Sequence, residues 1–417
     1  MKYYPFPEKR GWKLGIALFL LLQLALTRSG MSATLLGFAG AQTLMLGTLL
    51  TAGCVFLVHN RRSLKEIFLD RRMAAAAVFA LILLLPMIAK QDWQLMYVTL
   101  LLGLFFGVFV SYFSTLQETA KYYVLTLCVL SAYSLLATYL LRRLPDAGIL
   151  AVPTFTNSIG YKFYHFGLSH VSVRYVATRN FGIFREPGVH QFFLMIGIYL
   201  AFYQVSWKKE SHMWLAGGIL AATMVSTMAT GGVIELGLFA VVMFLDKKLY
   251  RDKRLRMAAI AVCLAALVVV IVSFLQKNSI YWFIYDTLLE KFINKTDSVT
   301  ERTDAIVTNI RLFLENPILG AKFSRVLHSV NNNTSSTLIL YAALGILGGT
   351  LNVAGWMALV WRRERKLWAN LALLVILFMS FNTQNLTWDL YFWLFPTMAL
   401  LERGIPAVKS RKKPASE

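Results

Sequence analysis

The sequence predicts an all-α, polytopic membrane helical bundle of about 12 transmembrane helices, with both chain ends inside and two long loops outside. Three observations predict it. The chain is 57% hydrophobic and only 15% charged over its 417 residues, whereas soluble domains average about 45–50% apolar and about 25% charged. Apolar runs of about 20 residues, the length that crosses a bilayer as a helix, recur from end to end. Basic residues gather between alternate runs, as they do on the cytoplasmic side of membrane proteins.

Each run is read as a helix because the backbone must satisfy its own polar groups in lipid, and a helix does so within one segment. The spans fall at 12–27, 32–58, 73–89, 94–113, 122–141, 188–205, 213–228, 231–245, 257–275, 336–361, 367–381 and 387–401. The first is read as a span and not as a cleaved signal, since no small-residue cleavage site follows the run after Lys13. Residues 213–245 are too long for one span, and Thr230-Gly231-Gly232 breaks them into two. Cys54, Cys128 and Cys263 all fall inside apolar runs, which implies packing and no disulfide framework.

With the amino end inside, the cytoplasmic pieces hold 27 of the 42 Lys and Arg, including Arg61-Arg62, Lys208-Lys209, Lys247-Lys248 and Arg362-Arg363. The net charge of +21 is therefore topology and contact with anionic membrane lipids. It is not a nucleic-acid signal, because no basic face on a soluble domain carries interleaved stacking aromatics. The chain forms a single membrane domain, 1–417, with outer loops at 142–187 and 276–335.

Long ordered loops in compact proteins usually carry function. The first loop mixes aromatics with Asn, His and Gln, and ends in Arg179-Asn-Phe-Gly-Ile-Phe-Arg185-Glu186-Pro187-Gly188-Val-His190-Gln191. Proline suits the first helical position, so Pro187 marks the entry to the sixth span. Glu186 and His190 are four residues apart, on one helix face. The second loop contains a helix around Val299–Leu314, with apolar residues at 306, 307, 310, 313 and 314 and the arginines Arg302 and Arg311; it stops at Asn316-Pro317. Beyond it lie His328 and an Asn/Ser/Thr cluster at 331–336.

The missing motifs narrow the chemistry. There is no phosphate-binding P-loop, no dinucleotide glycine fingerprint, no metal-ligand spacing and no Asp-x-Asp pair. Outer arginines suit a pyrophosphate, which guanidinium binds bidentately. A histidine or carboxylate suits proton removal from an acceptor hydroxyl. The candidates are Arg185, Arg302, Arg179 and Arg311 for the anion, and His328, Glu186 and His190 for the proton.

The run Arg179–Gly188 entering a span, the tip Ser226-Thr-Met-Ala-Thr230-Gly-Gly, Arg302 followed by Asn316-Pro-Ile-Leu-Gly320, and Leu344-Gly-Ile-Leu-Gly-Gly349 resemble the bacterial O-antigen and capsule polysaccharide polymerases. The resemblance covers roughly residues 175–350. It implies a metal-independent glycosyltransferase of the cytoplasmic membrane, needing no cofactor. Such an enzyme passes a growing glycan from undecaprenyl pyrophosphate to a lipid-linked repeat unit on the outer face, alongside chain-length regulator and flippase proteins. The related O-antigen ligases use a histidine about eleven residues before a span glycine; counting back from Gly345 reaches Asn333-Thr334, which favours the polymerase. A lipid-linked sugar flippase or other transporter is the rival from a different class. Its two-halved carriers usually have a longer central loop than the seven residues between the sixth and seventh spans here.

Overall fold

The computed structural model describes residues 10–28, 37–59, 65, 67, 69–156, 162–173, 179–277, 281–282, 285, 297–330 and 333–404. The chain ends, Arg174, the aromatic stretch at 157–161 and Asn331-Asn332 lie outside the described residues. Every apolar run gives a helix. These are α1 (Arg10–Arg28), α2 (Gly37–His59), α3 (Arg71–Lys90), α4 (Leu95–Phe113), α5 (Leu116–Leu136), α6 (Pro187–Tyr203), α7 (Glu210–Ser226), α8 (Thr230–Asp246) and α9 (Lys253–Gln276). The second long loop carries α10 (Asp297–Glu315) and α11 (Phe323–His328), and the chain closes with α12 (Ser336–Val360), α13 (Leu367–Phe381) and α14 (Leu390–Gly404). Among the described residues four segments are long and apolar enough to cross a membrane: α3, α4, α5 with its extension to Asp146, and α12. Several shorter apolar helices accompany them, including α6 and α13.

The all-α expectation needs one correction. The first long loop holds a three-stranded antiparallel sheet in the order β1 (Thr154–Thr156), β2 (Lys162–His165), β3 (His170–Ser172). Strands this short repeat the period-2 alternation barely once, so the sequence carries no readable strand signal. Tertiary contacts make them: Phe155 stacks on Phe163 across the strands at 5.2 Å, and Phe163 and His170 both meet the Phe181 ring. Helix α5 ends in a π turn, Ala137–Leu141, which leads into this loop.

The centre of the bundle is α6, buried on all sides from Val189 to Ala201. A helix apolar all round is stable only when neighbours cover every face; α5, α7, α8 and α13 do so. Beside it α4 and α14 approach closely. A Cβ at Gly103 or Gly107 would meet Trp393 and Thr397 at 2.7 Å, so the glycines let a large ring and a β-branched side chain seat directly on the helix. Helix α9 contrasts with this. Leu264, Val268, Ile271 and Leu275 are all exposed, as a helix bathed in lipid requires.

The motif Asn316–Gly320 and the glycines of α12 form one unit. Helix α12 is broken at Gly345, where φ is 66° and ψ is −166°, and Gly320 also has a positive φ of 72°. The two backbones touch there. A Cβ on Gly320 would run into the Ala343 carbonyl, and one on Gly345 into the Ile318 carbonyl. The break is bridged by Ala321 N donating to Ala342 O (2.7 Å) and Ile346 N to Pro317 O (2.8 Å). Lys90, at the end of α3, donates to Leu319 O (3.1 Å), Ala321 O (2.6 Å) and Ala343 O (2.6 Å). Asp92 accepts from Phe323 N at 2.6 Å. Lysine here satisfies carbonyls that a broken helix would otherwise leave bare.

Candidate functional site

Both long loops sit on one end of the bundle, the loop face. Asn180 fastens the first. Its Nδ2 donates to Ser134 (3.0 Å) on α5 and Ser226 (2.9 Å) on α7, and its Oδ1 accepts from Gly182 N (2.9 Å). Arg179 donates to Thr227 O at 3.2 Å, holding the start of the same run to the α7–α8 tip. On the second loop Asn309 and Asn333 exchange side-chain hydrogen bonds at 2.8 and 3.1 Å, which fixes α10 to the entry of α12.

Between these anchors lies a buried polar cluster. Glu235, one turn inside α8, is fully buried, and its Oε1 accepts from Gln191 Nε2 at 2.9 Å. Its Oε2 has no hydrogen-bond partner among the described residues. Ser380, at the end of α13, lies beside this carboxyl but outside hydrogen-bond geometry. The two side chains can approach because Gly231 and Gly232 leave room: a Cβ at Gly232 would meet Gln191 at 2.8 Å. At the start of α12, Ser336 donates to Gln384 O and Thr337 N to Asn382 Oδ1 (3.3 Å), so Thr334–Thr337 border the same region. The hydroxyls of Thr334, Ser335 and Thr337 are buried without a partner among the described residues. Buried polar groups are ordinarily hydrogen-bonded, so five such atoms at one end of the molecule call for a functional reason.

Arg302 is the cation of this cluster. It projects from the first turns of α10, half-buried, and interacts with the charges of Glu235 and Glu301. Burial lowers its pKa, and the two carboxylates oppose that. The arrangement is a guanidinium in charge interaction with a buried carboxyl, an amide bonded to that carboxyl, and buried hydroxyls on the neighbouring helix ends. It can bind a polyol or an anion and accept a proton.

The other predicted residues are placed apart. Arg185 pairs with Glu186 at 2.9 Å at the mouth of α6, with both side chains nearly half exposed. His190 is buried under the first loop, against Gly182 and Phe184, with Nδ1 3.4 Å from Asn180 O. His170 packs near it on β3, where burial and the neighbouring histidines hold its pKa down at about 3. Arg311 is exposed on α10, and His328 is exposed at the end of α11. Among the described residues no group of three His, Cys, Asp or Glu is placed to hold a metal.

Sequence reasoning singled out Arg302 but did not join it to Glu235 and Gln191, which are 44 residues apart on different helices. The available signal was Glu235 itself, since an ionisable group inside an apolar span marks function by default. Comparison of the chain with protein-family models, with curated proteins and with solved structures finds no match.

Proposed function

We propose that this chain is a polysaccharide polymerase, which moves a growing glycan from a polyprenyl pyrophosphate to a lipid-linked repeat unit on the loop face, with both chain ends on the opposite side. The observation that carries the proposal is the charge interaction of Arg302, from the second loop, with Glu235, whose carboxyl accepts a hydrogen bond from Gln191. In this reading Arg302 binds the pyrophosphate and stabilises the charge that grows as the glycosidic bond breaks. Glu235 takes the proton of the attacking hydroxyl through its unpaired Oε2, and Gln191 holds the other oxygen in place. Arg185 and Arg179 flank the approach. His328, exposed on the same face, is the alternative base. The resemblance of the Arg179–Gly188 and Asn316–Gly320 motifs to polymerases supports the same reading, and an O-antigen-ligase-type transfer uses the same donor.

A lipid-linked sugar flippase is favoured by a different observation. Helix α12 is broken at Gly345, and broken helices are a feature of transporters. Purified protein in vesicles with a lipid-linked repeat unit separates the two. The polymerase reading expects a ladder of longer chains that survives EDTA and needs no added nucleotide sugar. Translocation without elongation supports the flippase.

A further inference from the structure

Helix α10 has three sides. At about 100° per residue, Ala305, Asn309 and Leu312 share the side that is buried, against α12. Ile306, Val307, Ile310 and Leu314 share a second arc, and all are exposed, Leu314 at 69%. Thr303 is the polar member of that arc in the first turn, and Ile318, also exposed, continues it past the helix end. Asp304, Arg311 and Glu315 occupy the third side and are exposed. A loop helix immersed in water would not keep four aliphatic side chains together on an open face.

The depth of this helix is fixed by its far end. Leu319 and Ala321, just past α10, are held by Lys90 at the last residue of α3, and α3 is itself apolar and long enough to span. Ile88, two residues earlier on α3, is exposed, as are Leu85 and Leu81 below it. The residues just past α10 thus lie level with the end of a helix that carries an open aliphatic surface. We infer that α10 is an interfacial helix whose Ile306–Leu314 arc and Ile318 are immersed in the acyl chains of the loop-face leaflet, with Asp304, Arg311 and Glu315 turned to water. An amphipathic helix with this division of faces lies in the membrane plane. The inference does not depend on the polymerase reading. It does set Arg302, on the same helix, at headgroup depth.

The test uses the full chain with its three cysteines replaced and single cysteines at Ile310, Leu314, Asp304 or Arg311, each labelled with an environment-sensitive fluorophore. The protein is reconstituted in phosphatidylcholine vesicles brominated near the headgroup end of the acyl chains. The expected result is blue-shifted emission, with loss of signal to the brominated lipid, at 310 and 314. At 304 and 311 emission is that of water and is lost to aqueous iodide. Two results overturn the inference. Iodide quenching at all four positions places the arc in water. Protection of 310 and 314 from both quenchers means that protein, such as a second copy of the chain, covers it.

Discussion

The two ends of the bundle use polar residues differently. On the face opposite the loops, Arg72, Arg362, Arg365, Arg403 and Glu402 are spent on the fold. Arg365 pairs with Asp246 at 3.4 Å, donates to Val360 O and lies over the Tyr203 ring. Arg72 is buried between Asp70, Ser111 O and Tyr112. Gln204 donates to Leu359 O, Arg362 to Gln204, and Arg403 to Trp361 O, while Glu402 accepts from Leu116 N. These bonds close the ends of α4, α5 and α12, where helical carbonyls and amides run out of partners. On the loop face, Glu235 Oε2 and the hydroxyls of Ser380, Thr334, Ser335 and Thr337 are buried and unmatched among the described residues. The first arrangement serves the fold. The second gives up stability for groups that a ligand can meet, the usual trade between stability and activity.

Five substitutions break or sharpen that contrast. Arg365→Met should have the largest effect on folding. It strands Asp246 in a site where both side chains are under 15% exposed, and breaking a buried pair costs about 3–5 kcal/mol. Thermal unfolding in detergent should fall sharply, while the surviving protein keeps its specific activity. If activity per folded molecule falls as well, the opposite face is not purely structural.

Arg302→Lys should do the reverse. Lysine keeps the charge but loses the paired donors, and removal of such a group costs about 3–4 kcal/mol in the transition state, a hundredfold or more in rate. Chain elongation on a lipid-linked repeat should drop by that factor with the melting temperature unchanged. Near-normal ladders would remove Arg302 from the site.

Ser380→Ala and Thr337→Val remove buried hydroxyls that lack a hydrogen-bond partner among the described residues. Stability should stay level or rise by about 1 kcal/mol, since a buried unpaired polar group carries a desolvation cost. Activity should fall. A loss of stability would show that these hydroxyls support the fold after all. Arg185→Lys comes last. Its pair with Glu186 is solvent-exposed, and exposed pairs contribute about 0–1 kcal/mol. Unfolding curves of the variant and the parent should overlap.

Much of the fold was legible in the sequence. Each of the twelve apolar runs is helical in its described residues, and four of the helices are long and apolar enough to cross a membrane, where a helix satisfies its own backbone. The helix in the second loop and its stop before Pro317 were also legible, from period and proline. Its apolar stripe, however, did not mark the core. Ala305, Asn309 and Leu312 are buried instead, and the stripe is open. Periodicity reports that a helix has an apolar side, not what covers it.

The sequence by itself determined the membrane class, the helices, the glycine and proline breaks and a short set of polar residues at the loop ends. Tertiary structure decided which of those residues meet. Arg302 comes to Glu235, while Arg185 turns to Glu186 and His190 is sealed beneath Gly182. It also gave Lys90 three carbonyls from chain segments more than two hundred residues away. The reason is physical. Hydropathy and local backbone preference act within a few residues of sequence and can be read there. A buried hydrogen bond between distant helices depends on how closely those helices pack, and that is set by glycines and ring contacts throughout the bundle.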